Sequence, residues 1–315
     1  MSMTTSAASW FLAGRPQITG GLPSDDGGLV RYADRLARKR WPNARPTSTR
    51  HLAPLAQAYE RAEEVILAAD PDVKPPLFEV HHAPVQHGKT SLIQAAILRT
   101  LRRNPRAWIA YPAYNKTTSV AKMYEARELC EGEGIRINPT FDTDEEFRTV
   151  EGGGVVCGGI VGGPWTSRGF DLIVIDDPYK TSQDAYSSAW RLAVENAFWS
   201  AIWTRRRTHT SIFVNAARWH PNDLSGVLIK KNWTYRRLPA INDAGEALWP
   251  ERWPLSELLA IRDGRPATPT TPAIDPLPAT FWASLYQGLP QPSGSKVFDP
   301  ATWPRFDVLP SGPYT

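Results

Sequence analysis

Short apolar runs punctuate the middle of the chain at 77–83 (LFEVHHA), 107–111 (AWIAY), 171–176 (DLIVID) and 211–216 (SIFVNA). Leu172 to Ile175 is continuous rather than alternating, as a parallel strand buried on both faces requires. Between these runs the apolar spacing changes to a helical period. It predicts helices over 51–69, 90–103, 115–130 and 184–205. In 90–103, for example, Leu92, Ala95, Ala96 and Ile97 share one face. Alternating strands and helices of these lengths predict an α/β domain with a mostly parallel sheet flanked by helices.

The flanks read differently. Residues 1–50 are irregular apart from one basic, amphipathic segment, RYADRLARKRW, which suits a single helix. Residues 150–161 (VEGGGVVCGGIV) suit a glycine-rich hairpin or bulged ribbon. A short strand is expected between Lys230-Lys231 and Arg236-Arg237. After about Ala240 prolines dominate, leaving short helices at 255–262 and 280–286. There is no internal repeat.

Composition narrows the class. With 315 residues and 42% hydrophobic content, the chain can bury a sizeable core and a smaller companion. The formal charge of +4 is compatible with a polyanionic partner without requiring one. Two cysteines, Cys130 and Cys157, give neither a disulfide framework nor zinc spacing, and the six histidines are scattered. The start, MSMTTSAASWFLAGRP, lacks the basic opening and apolar core of a signal peptide, and there is no 18-residue apolar span. These features give the expectation of a soluble, intracellular protein without a membrane partner.

Two motifs carry candidate chemistry. The first is LFEVHHAPVQHGKTSL, a strand, a tight turn ending in Gly-Lys-Thr, then a helix. Backbone N–H groups ahead of a helix N-terminus converge on phosphate, and the helix dipole adds to them. Ala83, Pro84, Val85, Gln86, His87, Gly88, Lys89, Thr90 and Ser91 are therefore the candidate nucleotide-binding residues. Lys89 would reach the β and γ phosphates, and the Thr90 hydroxyl would ligate Mg²⁺. In G-x-x-x-x-G-K-[ST] the first glycine would fall at Ala83, a departure from the pattern. The second motif is DLIVIDDPYK, an apolar strand ending in Asp176 and Asp177. Asp176 is the candidate for holding Mg²⁺, and Asp177 the candidate catalytic group that orients the attacking water. Each motif alone also fits a chance turn or a solvated strand end. Together and in this order they point to an ATP- and Mg²⁺-dependent hydrolase.

With these residues in view, the chain resembles the ATPase half of the large terminase subunit of tailed bacteriophages, a motor that pumps DNA into a prohead. The likeness is carried by APVQHGKTSL, TSRGFDLIVIDDPYK, SIFVNAARWHPNDLSG, LWPERWPLSELLAIR and FWASLYQGLPQPSGSKVF, over roughly residues 77–300. RWHPNDLSG and LYQGLPQ are the more specific, since P-loop proteins at large do not share them.

The resemblance implies a P-loop NTPase of the type with an additional central strand (ASCE). Its strand at 212–214 would lie between strands 77–83 and 171–176. It also implies an organisation into an N-terminal arm at 1–50, an ATPase core at 51–240, and a lid with a linker at 241–315, the lid being built from both chain ends. Asn215 and Arg218 fall in the family's coupling segment, although Asn215, Ala216 and Ala217 stand where a γ-phosphate-sensing Thr or Ser is usual. Arg168 falls where some relatives carry an arginine finger acting on a neighbouring subunit, the alternative being a local pair with a carboxylate such as Asp171. Gln86 and His87 replace an arginine common in relatives, and Asp177 replaces a common glutamate.

Partners implied by the resemblance are double-stranded DNA, a portal protein, the small terminase subunit and further copies of the chain in a ring, in the host cytoplasm. The family's nuclease has no counterpart here: Asp299 and Asp307 are isolated, and the chain stops at Thr315 after LPSGPYT. The expectation is a motor domain without nuclease activity. Two other readings stay open. One is a helicase or related nucleic-acid ATPase; the other is a nucleotide-gated scaffold that hardly turns over. The basic clusters Arg205-Arg206-Arg207, Lys230-Lys231 and Arg236-Arg237 read first as solvated faces, and Trp190, Trp199, Trp203 and Trp219 as packing.

Overall fold

Every residue of the apolar run that ends in the two carboxylates is buried, because it forms a strand with helices on both sides. The computed structural model describes residues 28–40 and 49–291. Most of the expected N-terminal arm, and the C-terminal stretch with Asp299 and Asp307, lie outside the described residues.

In chain order the main elements are α1 (Gly28–Arg40), α2 (Ala53–Ala68), β1 (Phe78–His82), α3 (Lys89–Arg103), β2 (Trp108–Ala113), α4 (Lys116–Arg127), β3 (Ile137–Asp142), β4 (Glu146–Thr149), β5 (Gly154–Gly159) and β6 (Phe170–Asp176). They continue with α5 (Ser182–Tyr186), α6 (Ser188–Ala197), β7 (Arg206–Asn215), α7 (Leu224–Lys230), β8 (Thr234–Arg237), α8 (Leu255–Asp263) and α9 (Ala279–Phe281). The strands form one eight-stranded sheet in the order β3-β4-β5-β2-β6-β7-β1-β8. From β5 to β8 all pairings are parallel, and β3 and β4 extend the sheet antiparallel at one edge. β7 lies between β6 and β1, with Ile212 facing Phe78 on one side and Ile173 on the other. The protein thus has the α/β P-loop fold with the additional central strand.

Side-chain parity divides the core into two layers. Ile109, Tyr111, Leu172, Val174 and Phe213 pack with α1 to α4 on one face. Ala110, Ile173, Ile175, Ile212 and Val214 pack with α5 to α7 on the other. Fully burying one such aliphatic side chain contributes about 1.5–3 kcal/mol, so β6 and β7 anchor both layers. The polar residues of β1 are buried too. Glu79 accepts from His81 at 3.0 Å and pairs with Arg61 and Arg236. Burial pushes its carboxyl up, but His81 and Arg236 outweigh it and bring it down to about 2.

Several elements differ from expectation. The single helix over 184–205 is broken at Ser187, which is extended and whose side-chain hydroxyl caps α6 by accepting from the Trp190 N–H at 3.3 Å. Thr181 and Asp184 form a reciprocal cap on α5, so the chain starts a helix twice. Past α6 the helix widens to a π-turn over Phe198–Ile202. The glycine-rich segment does form a hairpin, but as the link between β4 and β5, and β5 is a full member of the sheet. Gly154, at φ 156°, has Phe147 O only 2.2 Å from where a Cβ would stand, so glycine is needed for that approach. β3 was not expected: it is an edge strand, largely exposed, and carries Pro139.

The segment after β8 has its own small core of Ala240, Leu258 and Trp282. α1 does not join it. Leu29, Tyr32, Ala33 and Leu36 belong instead to the main core with α2 and α3. Among the described residues, this small core draws on the C-terminal side, while most of the expected N-terminal arm lies outside them.

Candidate active site

Parallel strands point their carboxyl ends the same way, so β1, β6 and β7 deliver their last residues to one edge of the sheet. Register fixes the neighbours: Asp176 stands beside Asn215 on β7 and Ala113 on β2, and His81 stands on the far side of Asn215. The turn after β1 is tight, with Gln86 at φ 57° and Gly88 at φ 83°. Both are left-handed, a conformation glycine adopts freely and glutamine only under constraint. α3 begins at once, Leu92 N–H donating to Gly88 O at 3.0 Å.

The consequence is a cleft of about 750 Å³ between this turn, the end of β6 and the C-terminal segment. Ala83, Pro84, Val85, Gln86, Gly88, Lys89, Thr90 and Ser91 all line it, as does Asp177. His87 is the exception. It is fully buried with its Nδ1 2.8 Å from Val85 O, and its ring centre is 6.1 Å from those of both Trp249 and Trp253. Burial lowers it to about 4, so near neutral pH it is an uncharged packing group rather than a phosphate ligand.

Lys89, Thr90, Asp176 and Asp177 come together. Lys89 Nζ is 2.8 Å from Asp177 Oδ1 and 3.9 Å from Asp176 Oδ1. The Thr90 hydroxyl donates to Asp176 Oδ2 at 3.1 Å. Asp177 is a third exposed, and its carboxylate is aimed by the Ala217 N–H at 3.1 Å and by a left-handed backbone at φ 50°. A non-glycine residue held there costs on the order of 1–3 kcal/mol, a strain characteristic of functional positions. The N–H of Asp177 donates to Asn215 O at 2.8 Å, which ties the turn to β7.

Asp176 is fully buried, and its two oxygens are treated unequally. Oδ2 accepts from Tyr111 at 2.7 Å, Lys122 at 2.9 Å and Thr90, while Oδ1 has no hydrogen-bond partner. Burial pushes the carboxyl up, but Lys89, Lys122 and the Tyr111 hydroxyl outweigh it and hold it below the usual carboxylate range. A carboxylate held low, with one oxygen free of hydrogen bonds and a threonine hydroxyl beside it, fits Mg²⁺. That ion keeps several waters and takes one or two carboxylates plus substrate phosphates rather than a full protein cage.

Three expected residues lie elsewhere. Asn215 is adjacent but turned inward: it accepts from the Tyr59 hydroxyl at 3.0 Å, donates to Ile175 O at 3.4 Å, and is fully buried. It offers the cleft no side-chain donor. Arg218 is buried against Asp223 at 3.2 Å, fixing the residue that caps α7. Arg168 precedes β6 and so lies at the opposite edge of the sheet from its own P-loop. There it pairs with Glu146 at 2.9 Å and stacks on Trp108 at 3.8 Å from the ring centre. The local carboxylate is Glu146, not Asp171, because Asp171 is taken up by Arg207, His209 and the Trp108 N–H.

The basic clusters are also partnered locally. Arg206 stacks on Trp203, Lys231 lies over Trp199, Lys230 reaches Asn222 and Arg236 reaches Glu79. Sequence reasoning missed Tyr111, Lys122 and the Trp249–Arg252 wall of the cleft. A lysine on an amphipathic helix carries no signal of its own; only the pairing of β2 with β6 brings α4 beside Asp176.

No family model and no curated protein matches the chain. Solved structures of large terminases do. The large terminase of bacteriophage HK97 matches with a TM-score of 0.44 and 13% identity, over 75% of this chain and 48% of that one. The large terminase of a thermophilic bacteriophage matches with a TM-score of 0.42 and 10% identity, over 73% of this chain and 52% of that one. A structure of that thermophilic phage's protein in complex with ATP-gamma-S matches with a TM-score of 0.35 and 10% identity, over 56% and 43%. The chain spans about half the length of these proteins.

Proposed function

We propose that this chain is an ATP- and Mg²⁺-dependent hydrolase that drives double-stranded DNA into a viral prohead. The observation that carries the hydrolase reading is the convergence of Lys89, Thr90 and Asp177 on one cleft at the carboxyl edge of the sheet, with the buried Asp176 bonded directly behind Thr90. The DNA-packaging part rests on the resemblance of the APVQHGKTSL, RWHPNDLSG and LYQGLPQ segments to large terminases. By the same resemblance, its partners are a portal protein, a small terminase subunit and further copies of this chain.

In this reading each residue has one task. Lys89 neutralises the terminal phosphates, exchanging its bond to Asp177 for phosphate oxygens and so freeing that carboxylate. Thr90 and Asp176 would hold Mg²⁺, and a bound ion would supply positive charge against the phosphates. Asp177, aimed by the Ala217 N–H, orients the attacking water. Tyr111 keeps Asp176 in place. Arg168 is too far round the sheet to serve its own nucleotide, so a finger role for it requires a neighbouring subunit.

One observation favours a second reading, a nucleotide-gated scaffold with little turnover: Asn215 is buried and fully engaged where relatives place a phosphate sensor. Steady-state ATPase measurements with and without double-stranded DNA separate the two. Turnover stimulated by DNA and lost in Lys89→Ala supports the motor; tight nucleotide binding with negligible turnover in both conditions supports the scaffold.

A further inference from the structure

The Lys122 ammonium contacts the same two groups that would hold the metal. It is 2.9 Å from Asp176 Oδ2 and 3.4 Å from Thr90 Oγ1. Two ammonium groups, Lys89 and Lys122, therefore face two carboxylates, Asp176 and Asp177, in a charge-balanced set. Lys122 is also mechanically placed. Gln94, on the helix that starts at the P-loop, donates to Lys122 O at 2.7 Å and to Glu125 Oε2 at 3.0 Å. Glu125 in turn pairs with Arg40 of α1 at 2.6 Å.

Resting on the ATP and Mg²⁺ reading of this site, we propose that Lys122 is an internal counter-ion that competes with the divalent cation for Asp176 and Thr90. Metal loading displaces the ammonium, and displacement loosens α4 from the end of β6. The physical reason is short-range repulsion. A divalent ion on Thr90 and Asp176 would sit within a few ångströms of Lys122, where like charges at a poorly solvated site repel strongly. Lys122 is thus a positioning residue: it balances the charge of the buried Asp176 and holds that side chain in place until metal arrives, at the expense of metal affinity.

Mn²⁺ titration of the full chain, read by loss of the free-ion paramagnetic resonance signal, tests this with and without a non-hydrolysable ATP analogue. Lys122→Gln removes the competitor and is expected to tighten Mn²⁺ binding about tenfold, since removing one adjacent charge is worth at least that factor at such distances. Lys122→Arg keeps the charge and should stay close to the parent chain. Circular dichroism melts establish that both variants are folded. If Lys122→Gln is folded but binds Mn²⁺ equally or more weakly while still binding the analogue, the competitor role is overturned. Weakening specific to the triphosphate would instead make Lys122 a phosphate ligand. Failure of the parent chain itself to bind the analogue would bring down the ATP reading, and this inference with it.

Discussion

Strand β6 carries a buried carboxylate at each end, and the two are treated in opposite ways. Asp171, at the amino end, accepts from the Trp108 N–H at 2.7 Å, from Arg207 at 2.5 Å and from His209 at 2.8 Å, so both its oxygens are engaged by neighbours in the sheet. Asp176, at the carboxyl end, gathers Tyr111, Lys122 and Thr90 on one oxygen and leaves the other without a hydrogen bond, with only the Lys89 ammonium 3.9 Å away. Both carboxyls are held below the usual range, so ionisation alone does not tell them apart. The difference is completeness. A saturated buried carboxylate closes a structure, whereas an unsaturated one beside a cleft leaves room for something else.

If the carboxyl end is where chemistry happens, the largest effect belongs to Lys89. Lys89→Ala removes the ammonium facing both acids and should lower ATP turnover by roughly 10²-fold or more, the usual scale for loss of one preorganised charge-stabilising group. The fold should survive, because Lys89 belongs to a loop junction rather than to either core layer. A folded variant that keeps more than a tenth of the parent turnover would break the P-loop assignment.

The two acids at that end should then separate from each other. Asp177→Asn leaves Thr90 and Asp176 able to hold metal, so nucleotide should bind and remain unhydrolysed. Asp176→Asn should weaken nucleotide binding, and only when Mg²⁺ is present. Calorimetric titration with and without Mg²⁺ checks both, and an exchange of the two behaviours would mean the roles are reversed.

At the amino end the effect should be on stability alone. Asp171→Asn weakens charged hydrogen bonds from Arg207 and His209 and should cost about 2 kcal/mol. Burial pushes the Asp171 carboxyl up, but His209, the Trp108 N–H and Arg207 outweigh it and lower it. A carboxyl lowered on folding stabilises fully above its unfolded value, ~3.9, and loses that contribution as pH falls through the lower folded value. The melting-temperature gap between parent and Asp171→Asn should therefore be constant from neutral pH to about 5 and close below about 4. A gap that persists in acid, or a changed nucleotide affinity, would erase the distinction between the two ends.

How much of this contrast was legible in the sequence depends on the range of the interaction. Lys89, Thr90, Asp176 and Asp177 were readable because a short motif and an apolar run state both residue type and backbone. The order of β1, β7 and β6 was readable through the resemblance. Lys122 and Tyr111 were not, since their function depends on β2 lying beside β6, a non-local pairing. β3 was hidden by its polar, exposed composition, and the break at Ser187 by a helical period that continues past it. Asn215 and Arg218 stood out by their place in the chain, but their side chains turn into local bonds that only packing decides.

Arg168 should show the smallest effect in the isolated chain and gives the sharpest test of the amino end. Its guanidinium is spent on Glu146 and on the face of Trp108, across the sheet from its own P-loop. A part-exposed pair with one cation–π contact is worth about 1 kcal/mol. Arg168→Ala should therefore lower the melting temperature slightly and leave the isolated chain's ATPase almost unchanged. In an assembled ring the same substitution is informative in another way. A finger acting on a neighbour's phosphates would contribute on the order of 10³ to 10⁵ in rate, far beyond the local pair. Mixing Arg168→Ala with Lys89→Ala subunits then separates the roles, because an intact arginine and an intact P-loop can meet only across an interface. Activity regained on assembly would extend the functional edge to the amino end of β6; an assembled mixture as inactive as its parts would leave that end purely structural.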